Sequence, residues 1–145
     1  MKTFLVIFLS LFLSFNAFSA GSDDDNTLVK PKDYKKAVKL IKNEKYSEAI
    51  ALLEKILKKT KYQKDPDILN EYAFALRKFG VLDKAENYYK KALDIDANHR
   101  GALEYLGELY VDTKRVEKAK ILLSKLENCK CEEYSELKSY INNSN

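Results

Sequence analysis

The sequence has few residues that break helices and few that carry catalytic chemistry. Its 145 residues include four glycines, two prolines, one histidine, two cysteines and no tryptophan. So few glycines and prolines favour long helices joined by short turns. The Gly-x-Ser-x-Gly, His-Glu-x-x-His and glycine-rich phosphate-binding patterns are all missing, and His99 alone cannot make a catalytic site. We therefore expect an all-α protein that is not an enzyme and needs no cofactor.

No part of the chain concentrates charge of one sign into a stripe. The 26 basic and 22 acidic residues give a net charge of +4, and they are spread along the whole length. Nucleic-acid-binding proteins usually carry a concentrated basic stripe, so we expect no nucleic-acid partner. Charged residues make up 33% and apolar residues 46%, as in a folded, water-soluble helical domain.

One apolar stretch stands out, at the start of the chain. Lys2 is followed by residues 4–15, which are apolar apart from serine, and then by a segment ending in small residues. This is the layout of a secretory signal peptide, with Ala17 and Ser19 at −3 and −1 of a cleavage site before Ala20. The stretch is shorter than the roughly 20 residues of a membrane span, although an uncleaved anchor is the alternative. We expect a signal peptide over 1–19, a bacterial source and a periplasmic or secreted product with no membrane span after cleavage.

Beyond this segment the pattern changes from a spacer to helices. Residues 20–32 lack periodicity and include an acidic triplet, which predicts a flexible linker. From residue 33 onward apolar residues recur at spacings of three and four, as on one face of a helix. The predicted helices lie near 33–43, 47–60, 66–79, 83–95, 99–113, 116–128 and 132–142.

The helical part repeats itself at a period of 34 residues. Six positions recur with this spacing: Leu69, Ala73, Leu76, Ala85, Tyr89 and Ala92 become Leu103, Gly107, Tyr110, Ala119, Leu123 and Leu126. An earlier copy lies 36 positions before the second, which places an insertion of two residues near 61–65. Such periods indicate stacked helical hairpins.

These copies resemble the tetratricopeptide repeat family. Leu103-Glu-Tyr-Leu106-Gly107-Glu-Leu-Tyr110 is similar to the first half of the family pattern, and Ala119-x-x-x-Leu123 to the second. The resemblance implies an α-solenoid of about three hairpins, near 33–63, 66–99 and 100–131, with a capping helix over 132–142. The first copy departs most, since Asp33 and Lys36 occupy positions that are apolar in the family.

Individual small and capping residues carry this prediction further. Ala85, Gly107 and Ala119 are expected to be small because the two helices of a hairpin touch there. Asp65 followed by Pro66 predicts a helix start, and Gly80 can end that helix in a left-handed conformation.

The resemblance also implies a ligand groove lined by exposed residues of each hairpin's first helix. Phe74 and Tyr105 are aromatic residues off the core stripe, and they either face a peptide or pack on the neighbouring repeat. Glu104 and Glu108 share a helix face, which is more simply a solvated face than a catalytic pair. The implied groove positions are Asn70, Phe74, Arg77, Lys78, Tyr105, Glu108 and Asp112, with Glu104 beside them and Tyr34, Lys35 and Val38 on the first helix.

The two cysteines, Cys129 and Cys131, leave two functions open. In an oxidising compartment they form a disulfide with each other, stay separate thiols or bond to a partner. A metal site needs more ligands than two, so we expect no metal. The favoured function is a protein-binding scaffold or adaptor in the cell envelope. The alternative is a redox or metal-handling envelope protein that acts through this pair.

Overall fold

The computed structural model describes residues 29–144, and every described element is helical. The predicted signal peptide over 1–19 and the linker up to residue 28 lie outside the described residues. The prediction of an all-α fold is confirmed for the described part of the chain. Its helices are α1 Lys32–Lys42, α2 Tyr46–Leu57, α3 Pro66–Phe79, α4 Leu82–Ile95, α5 Arg100–Asp112, α6 Val116–Leu126 and α7 Glu132–Asn143.

The helices stack as three hairpins, α1–α2, α3–α4 and α5–α6, followed by α7. Each helix packs against the next, and α1, α3, α5 and α7 also pack in series against one another. This arrangement is an α-solenoid, in which each unit contacts only its neighbours. The first helices of successive hairpins therefore line one common face, and α7 continues that face beyond the third hairpin.

A continuous core runs through the stack. The smallest residues sit where helices cross, with Ala49, Ala85 and Ala119 fully buried. Larger side chains such as Leu53 and Leu103 fill the layers between the crossings. Full burial of a leucine side chain contributes roughly 1.5–3 kcal/mol, so these layers hold successive hairpins together.

The ends of α3 follow the capping residues read from the sequence. Asp65 Oδ1 accepts a hydrogen bond of 3.1 Å from the Ile68 amide, and Pro66 is the first residue of the helix. Gly80 ends α3 with a φ of 94°, in the left-handed region that glycine enters without strain. Glu44 and Lys114 occupy the matching turns with φ of 60° and 63°, so the spacings of 36 and 34 residues (80 − 44 and 114 − 80) recur in the backbone.

The two inserted residues change the end of α2. The periodicity predicts a helix up to residue 60, but α2 ends at Leu57 and a short 3-10 turn covers Thr60–Tyr62. Tyr62 is only 4% exposed, because this turn carries its ring back into the core. The insertion is thus absorbed by a tighter turn that also closes the first hairpin over α3.

The expected role of Gly107 needs a correction. The sequence places it at the crossing of the α5–α6 hairpin, but a Cβ on Gly107 would lie 2.6 Å from Cδ1 and Cδ2 of Leu137 in α7. The nearest atoms to this position thus belong to α7, and the small residue gives room to Leu137. Leu137 fills the space with no exposed surface.

The last residues of the predicted linker pack against the domain. Lys30 Nζ lies 3.0 Å from Asp65 Oδ2 and 2.7 Å from Asp67 Oδ2, and Lys32 already begins α1. The segment before α1 is thus held against the start of α3 by ion pairs with the N-cap residue Asp65 and with Asp67 of the first turn. Periodicity alone could not show these pairs, because residues 30 and 65 are distant in sequence.

Candidate functional site

An open groove of about 740 Å³ runs along the face formed by α3, α5 and α7. Each of these helices contributes side chains spaced by about one turn, as expected for three helices lying side by side. The lining residues are Phe74, Arg77 and Lys78 of α3, Glu104, Tyr105 and Glu108 of α5, and Glu132, Ser135, Glu136, Ser139, Tyr140 and Asn143 of α7.

Phe74 and Tyr105 form the aromatic wall of this groove. Their ring centroids are 4.7 Å apart, so the side chains pack on each other across α3 and α5. The same pair borders a smaller cavity of about 200 Å³ on its α1 side, next to Val38 and Lys42. The rings therefore pack between repeats, and each also lines the groove.

Arg77 lies at the base of the groove and is tied to two neighbouring helices. Its Nη2 is 2.8 Å from Asp112 Oδ2, its Nη1 pairs with Glu108, and Nη2 also donates to the Tyr140 hydroxyl at 3.3 Å. Tyr140 in turn donates to Asp112 Oδ1 at 2.7 Å. With 9% of its surface exposed, Arg77 joins α3, α5 and α7 rather than standing free as the sequence suggested.

Two further predicted groove residues are placed differently from expectation. Asn70 is only 4% exposed and does not line the groove, because the first turn of α5 covers it. Its Nδ2 would lie 3.3 Å from a Cβ on Gly101, so the glycine makes this close approach possible. Asp112 borders a separate cavity of about 500 Å³ at the end of α5 and is engaged by Arg77. Lys78, by contrast, is exposed and lines the groove as predicted.

Glu104 is the least expected feature of the site. Taken from the sequence as part of a solvated face, it is only 3% exposed, although it lines the groove. Its carboxyl lies against that of Glu136 of α7. Burial, together with the hydrogen bond to Glu136, raises the pKa of Glu104 to about 9. None of the ion pairs within residues 29–144 supplies a basic side chain to Glu104 or Glu136.

The α7 side of the groove was not found by sequence reasoning. The sequence predicts α7 only as a capping helix. The predicted groove residues therefore do not include Glu136, Ser139 and Tyr140, which lie on α7. The usable signal is positional: a helix that follows the third hairpin occupies the place of a fourth hairpin's first helix. Its side chains therefore extend the same face as α3 and α5.

The remaining chemistry-bearing residues do not line the groove. Cys129 and Cys131 are joined by a disulfide, with their Cα atoms 5.1 Å apart. His99 caps α5: its Nδ1 accepts a hydrogen bond from the Ala102 amide, so its Nε2 carries the proton and donates to Asp67 at 2.9 Å. In the part of the chain that the structure describes, no three potential metal ligands are grouped together. Between residues 29 and 144, no helix has the length and apolar character needed to cross a membrane.

Comparison with known sequences points to one family. The family model for the tetratricopeptide repeat matches residues 76–139, which include the last turn of α3, all of α4, α5 and α6, and part of α7. An uncharacterized protein, ycf37, of Porphyra purpurea is 30% identical over 90 residues, which cover 57% of this chain and 52% of that protein. The chain thus spans about half the length of this relative.

Solved structures share the fold at low sequence identity. A tetratricopeptide repeat protein from Parabacteroides merdae has a TM-score of 0.65 at 23% identity, over 77% of this chain and 44% of that chain. The type III secretion chaperone SycD of Yersinia enterocolitica, in complex with a peptide of the translocator YopD, has a TM-score of 0.65 at 16% identity, over 77% and 86% of the two chains. PcrH, in complex with the chaperone-binding region of PopD, has a TM-score of 0.66 at 9% identity, over 77% and 87%.

Proposed function

Because this chain is a tetratricopeptide repeat protein, we propose that it is a non-catalytic interaction module that holds a polypeptide segment in the groove between α3, α5 and α7. The observation that carries this proposal is the groove itself, an open channel of about 740 Å³. Its walls combine an aromatic pair, Phe74 and Tyr105, with polar and charged side chains. Large aromatic anchors beside polar groups are typical of surfaces that bind peptides.

The solved structures of similar fold support the same class of ligand. SycD was crystallised with a peptide of YopD, and PcrH with a region of PopD. Both are chaperones of this fold that bind a segment of another polypeptide. Since their sequences are distant from this one, they support the type of activity and leave the partner to be identified.

We further propose that the chain acts in the bacterial cell envelope, after export. The positively charged start, apolar core and small-residue end of residues 1–19 support export. A disulfide between Cys129 and Cys131 supports an oxidising compartment, since such bonds are rare in the cytosol. N-terminal sequencing of the protein recovered from the envelope fraction tests this: a chain beginning at Ala20 is expected, and a chain retaining residues 1–19 in the cytosol would contradict it.

Site-specific photo-crosslinking tests the groove in the living cell. Ser139 lines the groove and is exposed, so replacing it with a photoreactive phenylalanine analogue places the reactive group inside the channel. Ile121 of α6 is 59% exposed away from the groove and serves as the matched control position. We expect a crosslinked polypeptide from position 139 and not from position 121.

A second variant links the crosslink to the aromatic wall. Phe74→Ala removes the ring that packs on Tyr105 and should weaken the crosslink from position 139 severalfold, because aromatic anchors dominate such interfaces. Circular dichroism confirms that the variant remains helical. Equal crosslinks from positions 139 and 121, or a crosslink indifferent to Phe74→Ala, would disprove binding in this groove.

A further inference from the structure

The groove is lined by more acidic than basic residues. Four of its lining residues are acidic, Glu104, Glu108, Glu132 and Glu136, whereas two are basic, Arg77 and Lys78. Arg77 is already engaged by Glu108 and by Asp112 at the end of α5. Lys78 therefore remains the one basic lining residue without an ion-pair partner among residues 29–144. A ligand that fits this surface has to bring positive charge.

Glu104 marks the part of the groove that lacks a basic side chain. It is 3% exposed and lines the groove, and its carboxyl meets a second carboxyl, Glu136, instead of a basic side chain. Burying a carboxylate without a cationic partner is costly, and this cost raises the pKa of Glu104, so that its carboxyl favours the protonated form. Glu104 is therefore an uncompensated acid nine-tenths removed from solvent, with its accessible edge on the channel.

We propose that the site between Glu104 and Glu136 binds a basic side chain, arginine or lysine, of an extended polypeptide lying in the groove. The proposal rests on the function proposed above and names the chemistry of its ligand. Two carboxyls on neighbouring helices can receive the forked donors of a guanidinium group, which favours arginine over lysine. Tyr105 lies beside Glu104 in the wall, and the Tyr140 ring already has the Arg77 guanidinium 5.8 Å from its centre. Aromatic faces of this kind attract a second cation as well.

Entry of the cation changes the protonation of Glu104. In the free protein the raised pKa of Glu104 favours its protonated form. A bound guanidinium or ammonium group supplies positive charge in place of that proton, so that the proton leaves for the solvent. The other charged groups around the pair are Glu108 on α5, Glu133 and Glu132 on α7, and Arg77 and Lys78 on α3. The first two oppose ionisation of Glu104, which keeps the proton in place until a cation arrives. Binding of the proposed ligand is therefore coupled to proton release.

The test uses a display library of short random peptides, selected on the purified chain. Selected sequences are then synthesised with neutral ends, once as selected and once with each basic residue replaced by glutamine. We expect the selected peptides to contain arginine or lysine and to lose at least about tenfold in affinity on that replacement. Titration calorimetry in two buffers of different ionisation enthalpy should show one proton released per peptide bound.

Matched variants distinguish the pair from the general charge of the surface. Glu104→Gln and Glu136→Gln should each weaken the basic peptide at least about tenfold, whereas Glu117→Gln should leave its affinity unchanged. Glu117 lies on α6 with its side chain 84% exposed, so it changes the net charge equally without touching the groove. Melting temperatures show whether each variant is folded.

The outcomes separate this proposal from the proposed function. In one outcome, peptide binding depends on Phe74 while the affinity is unchanged by the glutamine replacement in the peptide and by Glu104→Gln. That result would overturn the basic-residue site but would still support binding in the groove. A chain that binds no peptide in a Phe74-dependent manner would overturn both. If Glu104→Gln and Glu117→Gln weaken the affinity for basic peptides equally, the peptides are attracted only by the general charge of the surface. That result would overturn the site.

Discussion

Arg77 holds three helices together with one side chain. Its guanidinium group donates to Asp112, Glu108 and Tyr140, so the groove floor is a closed set of charge-assisted hydrogen bonds. Removing the arginine leaves two carboxylates facing each other without a cation. Arg77→Ala should therefore lower the free energy of unfolding by about 3 kcal/mol, at the low end for a broken buried pair because Asp112 is 35% exposed.

Lys78→Ala is the matched control for Arg77→Ala. Lys78 is the next residue of the same helix, also basic and also on the groove, but its side chain is exposed. Urea unfolding followed by circular dichroism should show a change within about 0.5 kcal/mol for this variant. Equal stability losses for the two variants would mean that the ion pairs of Arg77 contribute nothing.

The protonation of Glu104 predicts how stability depends on pH. The pKa of this carboxyl is raised in the folded protein from the ordinary 4.5 to about 9 by burial and by Glu136. The folded state thus binds the proton more tightly than the unfolded chain, and this contribution is fully present below about pH 4.5. It is lost as pH rises toward 9, by up to about 1.4 kcal/mol per pH unit.

Glu104→Gln should abolish that loss, since the amide stays neutral. Urea unfolding at about pH 5 should give similar stabilities for the two proteins, and at about pH 8 the variant should be more stable by on the order of 1–3 kcal/mol. Glu117→Gln controls for the change in net charge. A wild-type protein that gains stability relative to Glu104→Gln between these pH values would contradict the raised pKa.

These two residues mark the limit of prediction from sequence at the residue scale. Glu104 and Arg77 follow the helical pattern of exposed positions, and on an isolated hairpin both would be solvated. Glu104 is covered by α7, which lies over α5, and Arg77 is held by side chains of both α5 and α7. A pattern along one helix does not contain the position of a neighbouring helix. Phe74 and Tyr105 were easier to identify, because apolar residues off the core stripe stand out in the pattern itself.

At the scale of the element, local signals determined the helix ends well. Asp65 with Pro66, and Gly80, gave the start and end of α3 because these residues act on the nearest turn alone. The end of α2 was missed by three residues, since Tyr62 is pulled into the core by packing that the periodicity does not register. The fold class followed from the repeat, whereas the detailed closure of each hairpin followed from tertiary contacts.

The close approach of α5 and α7 depends on a single glycine. A Cβ at Gly107 would lie 2.6 Å from Cδ1 and Cδ2 of Leu137, so the buried Leu137 side chain or one of the two helices must shift if a side chain is added. Gly107→Ala should therefore destabilise the protein by about 1–3 kcal/mol, despite the better helix propensity of alanine. Thermal and urea unfolding measure the loss.

The double variant identifies the cause of that loss. Leu137→Ala alone should destabilise by about 2–5 kcal/mol, because it empties a fully buried site. If the methyl group added by Gly107→Ala clashes with Leu137, the two losses will not add, and Gly107→Ala will cost little or nothing in the Leu137→Ala background. Additive losses would show that Gly107 is needed for some other reason, such as contact with α6.

At the scale of the whole molecule, the stack is a chain of neighbour contacts with two ends. The hairpin in the middle of the stack is covered on both sides, and the third hairpin is followed by α7. Leu137 and Ile141 of this helix are buried against the hairpin, with 0% and 4% of their surface exposed. The same helix brings Glu136 and Tyr140 to the groove. Capping the stack and completing the site are thus two consequences of one helix.

This double role predicts the effect of ending the chain at Cys131. Loss of α7 removes the buried surface of Leu137 and Ile141, which contributes roughly 3–6 kcal/mol in total, and uncovers the α5 surface around Gly107. A domain of this size has a total stability of about 5–15 kcal/mol, so the shortened chain should be folded weakly and should self-associate through the uncovered face. Urea unfolding and analytical ultracentrifugation measure both effects. A chain ending at Asn143, which keeps all of α7, is the control and should match the full chain. If the chain ending at Cys131 stays monomeric and equally stable, α7 is not a cap, and its position on α5 would have to be maintained by the groove contacts of Tyr140 and Arg77 instead.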